Sequence, residues 1–505
     1  MTQARVPLSQ KRMEALVRER FAGRRLVVVS NREPVVHQRG ANGKLKVQQP
    51  AGGLTTAMLP IVQACRGVWI AHGSGNADFD VTDARDGLEW PPENPSFRLR
   101  RVRLPPDVEA GYYNGLANEG IWPLCHLAYT APLFRHSDWV MYREANRIFS
   151  EAVLEEIGDE PAVVFSHDYH LGLLQRMLRN RRPDLLMAQF WHIPWPNREV
   201  MGVMPWMAEL LHGMLGNDLM GFHVQQHCNN FLDTVDRGIE SLVDYENHRA
   251  IRGRKSTYVR PFPISIDVHA YQQTAAEKPF EKVFPELAAR THGQVMLLGV
   301  DRLDYTKGIP HRLRAFESLL EQYPEWRGKA TFVQIGAPSR TTIPRYAALA
   351  DEVQALVRQI NSRFGGQERW TAVHYLPEHH DREMLAALYR RADVCMVTSL
   401  HDGMNLVAKE YIAAHAGTPG TLVLSKFTGA ARELLEACLV NPYDIEATAA
   451  LIVETLRMSP QQRADAMRRL YERVCAHDVY DWATDVLTGL DEVSRRQEAQ
   501  AFPGN

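Results

Sequence analysis

Residues Ser399-Leu400-His401-Asp402-Gly403-Met404-Asn405-Leu406-Val407-Ala408-Lys409-Glu410-Tyr411 combine acids, a glycine turn and helical spacing in a pattern that can do chemistry. The apolar run Val394 to Val397 reads as a buried strand. A polar turn with a glycine ends it, and Leu406 to Ala414 then carries apolar residues at helical spacing. Gly403, Met404 and Asn405 therefore fall at a helix N-terminus, where free backbone N–H groups and the positive end of the helix dipole suit a phosphate. Asp402 stands just ahead of that anion site and Glu410 about two turns into the helix. A carboxylate beside a phosphate cannot usefully bind it, but it accepts hydrogen bonds from sugar hydroxyls. Diphosphate donors flanked by two hydroxyl-binding acids are what a nucleotide sugar requires. One strand–turn–helix unit of this kind is common and usually binds nothing, so the weight comes from the rest of the chain.

The second half opens with Val300-Asp301-Arg302-Leu303-Asp304-Tyr305-Thr306-Lys307-Gly308 after an apolar run. Arg302 and Lys307 read as two cations on one strand-to-helix turn, placed for a diphosphate. Arg340 follows the strand Thr331–Ile335 through Gly336-Ala337-Pro338-Ser339. In the first half, Ser30-Asn31-Arg32-Glu33-Pro34 follows the first strand and puts Arg32 where it can grip a phosphate bidentately. The paired glycines of Ala51-Gly52-Gly53-Leu54 allow close approach of backbone to a ligand, and Asn42-Gly43 between these segments reads as a hairpin turn.

His167-Asp168-Tyr169-His170 and His192-Ile193-Pro194 follow two further strands and can hydrogen-bond sugar hydroxyls or handle a proton. A metal site is the weaker reading, because no third and fourth ligands stand at metal-like spacing. His223 and His227 are four apart, but Gln225-Gln226 occupy the place of the glutamate that a zinc helix needs, so both are read as structural. Asp78-Phe79-Asp80, a lone Asp-x-Asp among Gly, Asn and Asp residues, reads as a solvated turn. No cofactor or metal is expected.

The elements that must position these residues are buried strands alternating with helical patterns. They are Leu26–Val29, Ala162–Phe165, Leu186–Trp191, Leu219–His223, Val295–Val300, Thr331–Ile335, Ala372–Tyr375, Val394–Val397, Thr421–Leu424 and Leu439–Val440. Such alternation predicts an α/β protein with doubly wound parallel sheets, which bind ligands at the carboxyl ends of their strands. At 505 residues, two domains are expected. The segment Val259-Arg260-Pro261-Phe262-Pro263-Ile264 reads as the crossover, giving domains 1–262 and 263–479 with a closing helix near 480–498 packed back on the first. Residues 1–24 read as a short amphipathic helix or arm, and 499–505 as a frayed tail.

Apolar residues make up 45% and charged ones 23%, and the net charge of −2 leaves no basic footprint for nucleic acid. No segment approaches a membrane span or a signal peptide, so a cytoplasmic protein is expected, with no membrane partner. The six cysteines form no Cys-x-x-Cys pair, which fits reduced, buried thiols.

These strings together resemble the retaining trehalose-6-phosphate synthases of glycosyltransferase family 20, which have the GT-B architecture of two Rossmann-like domains facing across a cleft. The likeness runs from about Leu26 to about Leu490. Val-Val-Val-Ser-Asn-Arg (27–32), Tyr-Tyr-Asn (112–114) with Trp122-Pro123, and His-Asp-Tyr-His-Leu (167–171) carry it in the first half, with His-Ile-Pro (192–194). Asp-Arg-Leu-Asp-Tyr-Thr-Lys-Gly (301–308), Asp-Gly-Met-Asn-Leu-Val-Ala-Lys-Glu-Tyr (402–411) and Val-Asn-Pro-Tyr-Asp (440–444) carry it in the second.

The resemblance implies transfer of glucose from UDP-glucose to glucose 6-phosphate, giving trehalose 6-phosphate and UDP, in a pathway of osmotic or desiccation protection. Arg302 and Lys307 would neutralise the donor diphosphate together with backbone N–H groups at Gly403, Met404, Asn405 and Leu406. Asp402 would hold glucose hydroxyls, Glu410 the ribose, and Gly53 would lie near the donor phosphates. Arg32, Tyr113 and Arg340 would grip the acceptor phosphate, with Trp122 and Asp168 by the acceptor sugar and His192 near the reacting carbon. The partners implied are these small molecules; a homo-oligomer is compatible with the sequence but not encoded in it.

Three positions depart from the family pattern. His72 stands where a second tryptophan is usual after Trp69, His401 replaces an arginine, and Trp195 a phenylalanine. The related reading, a glucosylglycerol-phosphate synthase using glycerol 3-phosphate, lacks the arginine matching Arg340 and the paired glycines. Pseudo-glycosyltransferases coupling cyclitols share the fold. A non-catalytic sugar-phosphate-binding homologue would be expected to have lost Arg302, Lys307, Asp402 or Glu410, all of which are present. His380 either packs on the donor base or lies at the surface beside His379.

Overall fold

The computed structural model describes residues 7–40, 42–48, 53–365 and 370–501. The sequence readings at 1–6, at Gly52 and at 502–505 lie outside them. The chain divides into two compact units, Met1–Ile264 with Val479–Asn505, and Ser265–Asp478.

The first unit is built on a ten-stranded sheet. Its strand order is Leu242–Asp244, Arg249–Arg252, Lys255–Pro261, Leu219–Phe222, Leu186–Phe190, Ala162–His167, Arg25–Ser30, Val68–His72, Phe97–Val102 and Gly87–Trp90. The seven strands from Lys255–Pro261 to Phe97–Val102 run parallel, and the antiparallel pairings are confined to the two edges. Strands such as Val68–His72 and Leu186–Phe190 are buried along their whole length, as parallel strands covered on both faces must be. Val27, Val29, Ile70, Val164 and Met187 pack against Phe149 and Val153 of the helix His136–Ile157. The closing helix Val479–Ala501 belongs to this unit. Its Trp482 is fully buried against Phe190 and Phe165 and donates its indole N–H to the Phe262 carbonyl at 3.2 Å.

The second unit has a six-stranded, all-parallel sheet. Its order is Val373–Leu376, Ala330–Ala337, Val295–Arg302, Val394–Val397, Thr421–Ser425 and Cys438–Val440. Helices Ile309–Gln322 and Pro344–Phe364 bury Phe316, Leu320, Val353 and Ile360 against it. No helix among the described residues is long and apolar enough to cross a membrane.

Several expectations need correction. Val259–Pro261 is not a linker but the end of the parallel strand Lys255–Pro261, with Pro261 at its last register position, where a missing N–H costs least. The strands Val68–His72 and Phe97–Val102, which extend the parallel sheet beyond Arg25–Ser30, carry no reading from the sequence. The closing helix runs on to Ala501, so 499–501 are helical. Cys475 is exposed rather than buried, and Cys65 and Cys438 are half-buried, all six thiols being free.

Candidate functional site

The strand-end turns singled out in the second unit lie at the carboxyl edge of its sheet, with Glu410 inside the helix that follows one of them. The strand Val295–Arg302 includes Arg302 as its last residue, so this arginine closes the strand instead of standing on the turn. A single 3₁₀ turn, Tyr305–Lys307, follows, capped by the Asp304 side chain, which accepts from the Thr306 N–H at 3.0 Å. Gly308 then starts the helix Ile309–Gln322 at φ +66°, and a Cβ there would lie 2.6 Å from the Thr398 carbonyl oxygen. Only glycine lets the Lys307 turn pack this closely on the next strand.

Asp304 is fully buried, which by itself would raise its pKa. The charges of Arg340, Arg302 and Lys307 outweigh burial and hold it below the ordinary carboxylate value. Three cations thus gather around one acid. Arg340, at φ +51°, donates to Asp304 at 3.0 Å and to the Tyr346 hydroxyl at 2.6 Å, and its side chain is 4% exposed. Arg302 donates to Ser339 at 3.3 Å. Below them, the buried Arg312 joins Asp301 (2.7 Å), Thr398 (2.9 Å) and Gln334 (3.2 Å), tying three strands to one helix.

Lys307 Nζ lies 2.5 Å from Asp402 Oδ2. The same oxygen accepts from Asn405 Nδ2 at 3.1 Å and Ser399 Oγ at 3.3 Å. Asn405 sits at φ +78° as the cap of the helix Leu406–Ala414, its side-chain oxygen accepting from the Val407 N–H at 3.1 Å. These helix limits are the ones the sequence predicted. Gly403 and Met404 are buried in the turn, which the Ala430 N–H clamps by donating to the Met404 carbonyl at 3.0 Å. Buried Lys409 pairs with Glu433 at 2.9 Å and anchors the helix from the opposite side.

Glu410 is buried, and burial raises its pKa against the opposing effect of hydrogen bonds from Tyr271 and Tyr389 and the charge of Arg382. The Tyr389 hydroxyl donates to Oε2 at 2.9 Å. Arg382 in turn lies over the Tyr271 ring at 4.4 Å. His380 is not a surface residue: it is 4% exposed and stacks on Phe284 at 5.6 Å.

In the first unit, the candidate residues again follow strands. Asn31, directly before Arg32, accepts from the Tyr112 hydroxyl at 3.0 Å, which ties the end of Arg25–Ser30 to the neighbouring helix. That helix runs Pro106–Glu109, then as a π-helix Ala110–Ile121, then Trp122–His126. It carries Tyr113, stacked on His170 at 5.6 Å, and Trp122, packed on Tyr169 and His126. Gly115 permits its close approach to the following helix, since a Cβ would overlap the Asp138 carboxyl group.

Asp168 adopts φ +73° at the end of Ala162–His167, a strained backbone for a non-glycine residue. Its carboxylate accepts from the N–H groups of Tyr169 (3.0 Å) and His192 (3.3 Å). His192 Nε2 faces His167 Nδ1 at 3.1 Å, and burial lowers the His192 pKa to about 3, so this ring is neutral at ordinary pH. Gly53 begins the helix Gly53–Ala64. Trp195 is buried and bonded to Thr234, a packing role.

Asp78 overturns the solvated-turn reading. It is fully buried and accepts from Arg101 at 3.0 Å and from the His37 N–H at 2.7 Å. Arg101, also fully buried, donates to Glu33 at 2.9 Å, and Glu33 accepts from the Ser74 N–H at 2.8 Å. Nothing in the letters around Arg101 announced this network. Asp304 and Tyr389 were also missed as supporting residues, although Asp304 lies inside a string that was singled out. Among the described residues, no group of three or more His, Cys, Asp or Glu side chains could hold a metal ion.

Two doubly wound α/β units with charged, helix-capped turns at the carboxyl edges of their strands place the protein in the GT-B class. The chain belongs to glycosyltransferase family 20, whose sequence model matches residues 24–492. Trehalose-6-phosphate synthase of Mycolicibacterium paratuberculosis is 39% identical over 482 residues, covering 93% of this chain and 96% of that one. The UDP-forming α,α-trehalose-phosphate synthase of Burkholderia xenovorans, solved in complex with glucose-6-phosphate, is 29% identical. It covers 92% of this chain and 100% of its own, with a TM-score of 0.82. A trehalose-6-phosphate structure from E. coli, bound with UDP-2-fluoro glucose, is 31% identical over 92% of this chain and 99% of that one, also at a TM-score of 0.82.

Proposed function

We propose that the protein is a retaining glucosyltransferase that moves glucose from UDP-glucose to glucose 6-phosphate, forming α,α-trehalose 6-phosphate and UDP. The observation that carries this reading is the Lys307–Asp402 pair at the head of the helix Leu406–Ala414, beside Arg302 and Arg340 around Asp304. A diphosphate entering there meets two cations and a helix N-terminus, and Asp402 is left able to accept from sugar hydroxyls. Glu410, held by two tyrosines, is presented to the ribose.

In the first unit, Arg32 and Tyr113 serve the acceptor phosphate, and Trp122, Asp168 and His192 the acceptor sugar and reacting carbon. None of the singled-out carboxylates has the role of a double-displacement nucleophile. The acceptor hydroxyl therefore attacks on the face from which UDP departs, and the leaving phosphate oxygen takes its proton. Positioning and charge stabilisation of the departing UDP are the protein's contribution. Arg302 and Lys307 supply the positive charge that a metal would supply elsewhere, so no cofactor is invoked. Glucose 6-phosphate is favoured over glycerol 3-phosphate by the presence of Arg340 and by the B. xenovorans relative solved with glucose-6-phosphate. The physiological setting would be a cytoplasmic route to trehalose as an osmoprotectant.

The test is UDP release by the purified protein given UDP-glucose with either acceptor. Release with glucose 6-phosphate alone supports the reading. Release only with glycerol 3-phosphate, or none with either, overturns it.

A further inference from the structure

His72 occupies the last position of the strand Val68–His72 and is 8% exposed. Three segments meet at it. Its backbone N–H donates to the Asn31 carbonyl at 3.2 Å, one residue before Arg32. Its Nδ1 lies 3.2 Å from the Val102 carbonyl oxygen on the adjacent strand. That oxygen can only accept, so Nδ1 carries a proton. Nε2 therefore points away from the sheet, has no hydrogen-bond partner, and lies 3.6 Å from Glu109 Oε1. Glu109 is the residue directly before the π-helix that carries Tyr112 and Tyr113.

Two acceptors facing each other at that distance would repel. The arrangement is stable when a proton sits between them, and the His72 contact lowers the Glu109 pKa against burial, which raises it. Among the described residues, Glu109 is the acidic group within 4 Å of the ring. Of the cations flanking Val102, Arg101 is engaged by Glu33 and Asp78, and Arg103 by Asp86 at 2.7 Å with its head over Phe79.

We propose that His72 and Glu109 form a charge-assisted strap that positions Tyr113 relative to Arg32 and so tunes affinity for the phosphorylated acceptor. It acts beside the Tyr112–Asn31 hydrogen bond, which joins the same two segments one helical turn along. Glu109 is about half exposed, so a small rotation of its side chain closes the 3.6 Å gap to a hydrogen bond, whereas the ring is held by the sheet. A tryptophan at position 72 would offer only a neutral indole N–H, with no charge to assist the bond. The strap is a positioning device and rests on the acceptor role assigned above to Arg32 and Tyr113.

The experiment compares wild type with Glu109→Ala, His72→Gln and His72→Ala, Glu109 being exposed enough for truncation to leave the fold intact. Glu109→Ala should raise the KM for glucose 6-phosphate roughly five- to tenfold, the scale of one lost charge-assisted contact. Its kcat and its KM for UDP-glucose should stay within about twofold by the same reasoning. His72→Gln, whose side-chain amide can still donate to Glu109, should restore most of the acceptor affinity relative to His72→Ala. Hydrogen–deuterium exchange gives a readout independent of turnover: amides of Ala110–Ile121 should exchange faster in Glu109→Ala, with those of Ala162–His167 unchanged. Unaltered exchange together with an unaltered acceptor KM would overturn the strap. Faster exchange in a wild-type background that releases no UDP would keep the strap and overturn the acceptor assignment instead.

Discussion

Replacing Glu33 by glutamine should change how the stability of the first unit responds to pH. Burial, reinforced by the neighbouring Asp78 carboxylate, pushes the Glu33 pKa from 4.5 up to about 8. Between those values the folded protein keeps a proton that the unfolded chain has released. Glu33 therefore supports the fold fully below pH 4.5, and this support is lost as pH rises through 8. The span of roughly 3.5 units, at ~1.4 kcal/mol each, sets a ceiling of about 5 kcal/mol. Arg101, donating to Oε2 at 2.9 Å, and the Ser74 N–H already hold the Glu33 pKa down to that value, so no further deduction is made for them and the figure stands as an upper limit.

Glutamine keeps the two Ser74 bonds but cannot accept from Arg101, which should cost about 1 kcal/mol at pH 6. It has no proton to lose, so by pH 9 the variant should equal or exceed wild type. Chemical unfolding followed by tryptophan fluorescence at pH 6, 7.5 and 9 gives the difference curve directly. Parallel curves for the two proteins would refute the buried-proton argument, because a purely steric effect of glutamine does not depend on pH.

Lys307→Ala should lower kcat roughly 10²–10³-fold, as expected for losing one group that stabilises charge on the leaving diphosphate. Near wild-type UDP release by that variant would remove Lys307 from the mechanism. Tyr389→Phe removes one of the two hydroxyls that hold Glu410, and should raise the KM for UDP-glucose about three- to tenfold. Calorimetric titration with UDP checks this, and an unchanged Kd would detach Glu410 from the donor. His192, lowered to about 3 mainly by burial, should show flat ring chemical shifts between pH 5 and 9. A titration step in that window would mean that the ring is reached by water. Its depressed pKa also means that stability declines as pH falls from 6.5 toward 3, because the unfolded chain takes up the proton that the buried ring does not.

How much of this was legible depended on whether the residue pattern had one physical solution. The helix Leu406–Ala414 was read to the residue because a buried strand, a glycine turn and helical periodicity leave no other register. The strand Val295–Val300 was read two residues short because the charged letters after Val300 look like a turn, although Asp301 and Arg302 pair in register with Gly336 and Ala337. Asp78 was misread for a deeper reason. Gly, Asn and Asp serve equally in a solvated loop and in a buried ion network, and the arginine that decides between them lies 23 positions away. The crossover read at Val259–Ile264 ends where the first unit closes, but its first three residues belong to a strand, because two prolines were weighed above the β-branched residues before them. Where the local structure rests on one string, as in the turn and helix from Asp402 to Glu410, the sequence sufficed to place it. Where it rests on pairs that only the fold brings together, as with His72 and Glu109, it did not.

The π-wound segment Ala110–Ile121 has a consequence for how this chain can vary in length. A π-turn is an α-turn that has accommodated one additional residue. The stretch therefore stores slack: a deletion within it can be absorbed by rewinding toward ordinary α spacing, without moving the ends that Pro106 and Trp122 define. What such a deletion would change is the rotational phase of the residues between, and so the direction in which Tyr113 points relative to its stacking partner His170. Small insertions and deletions here would act as a vernier on the aromatic wall, altering which ring faces the ligand while leaving the sheet beneath undisturbed.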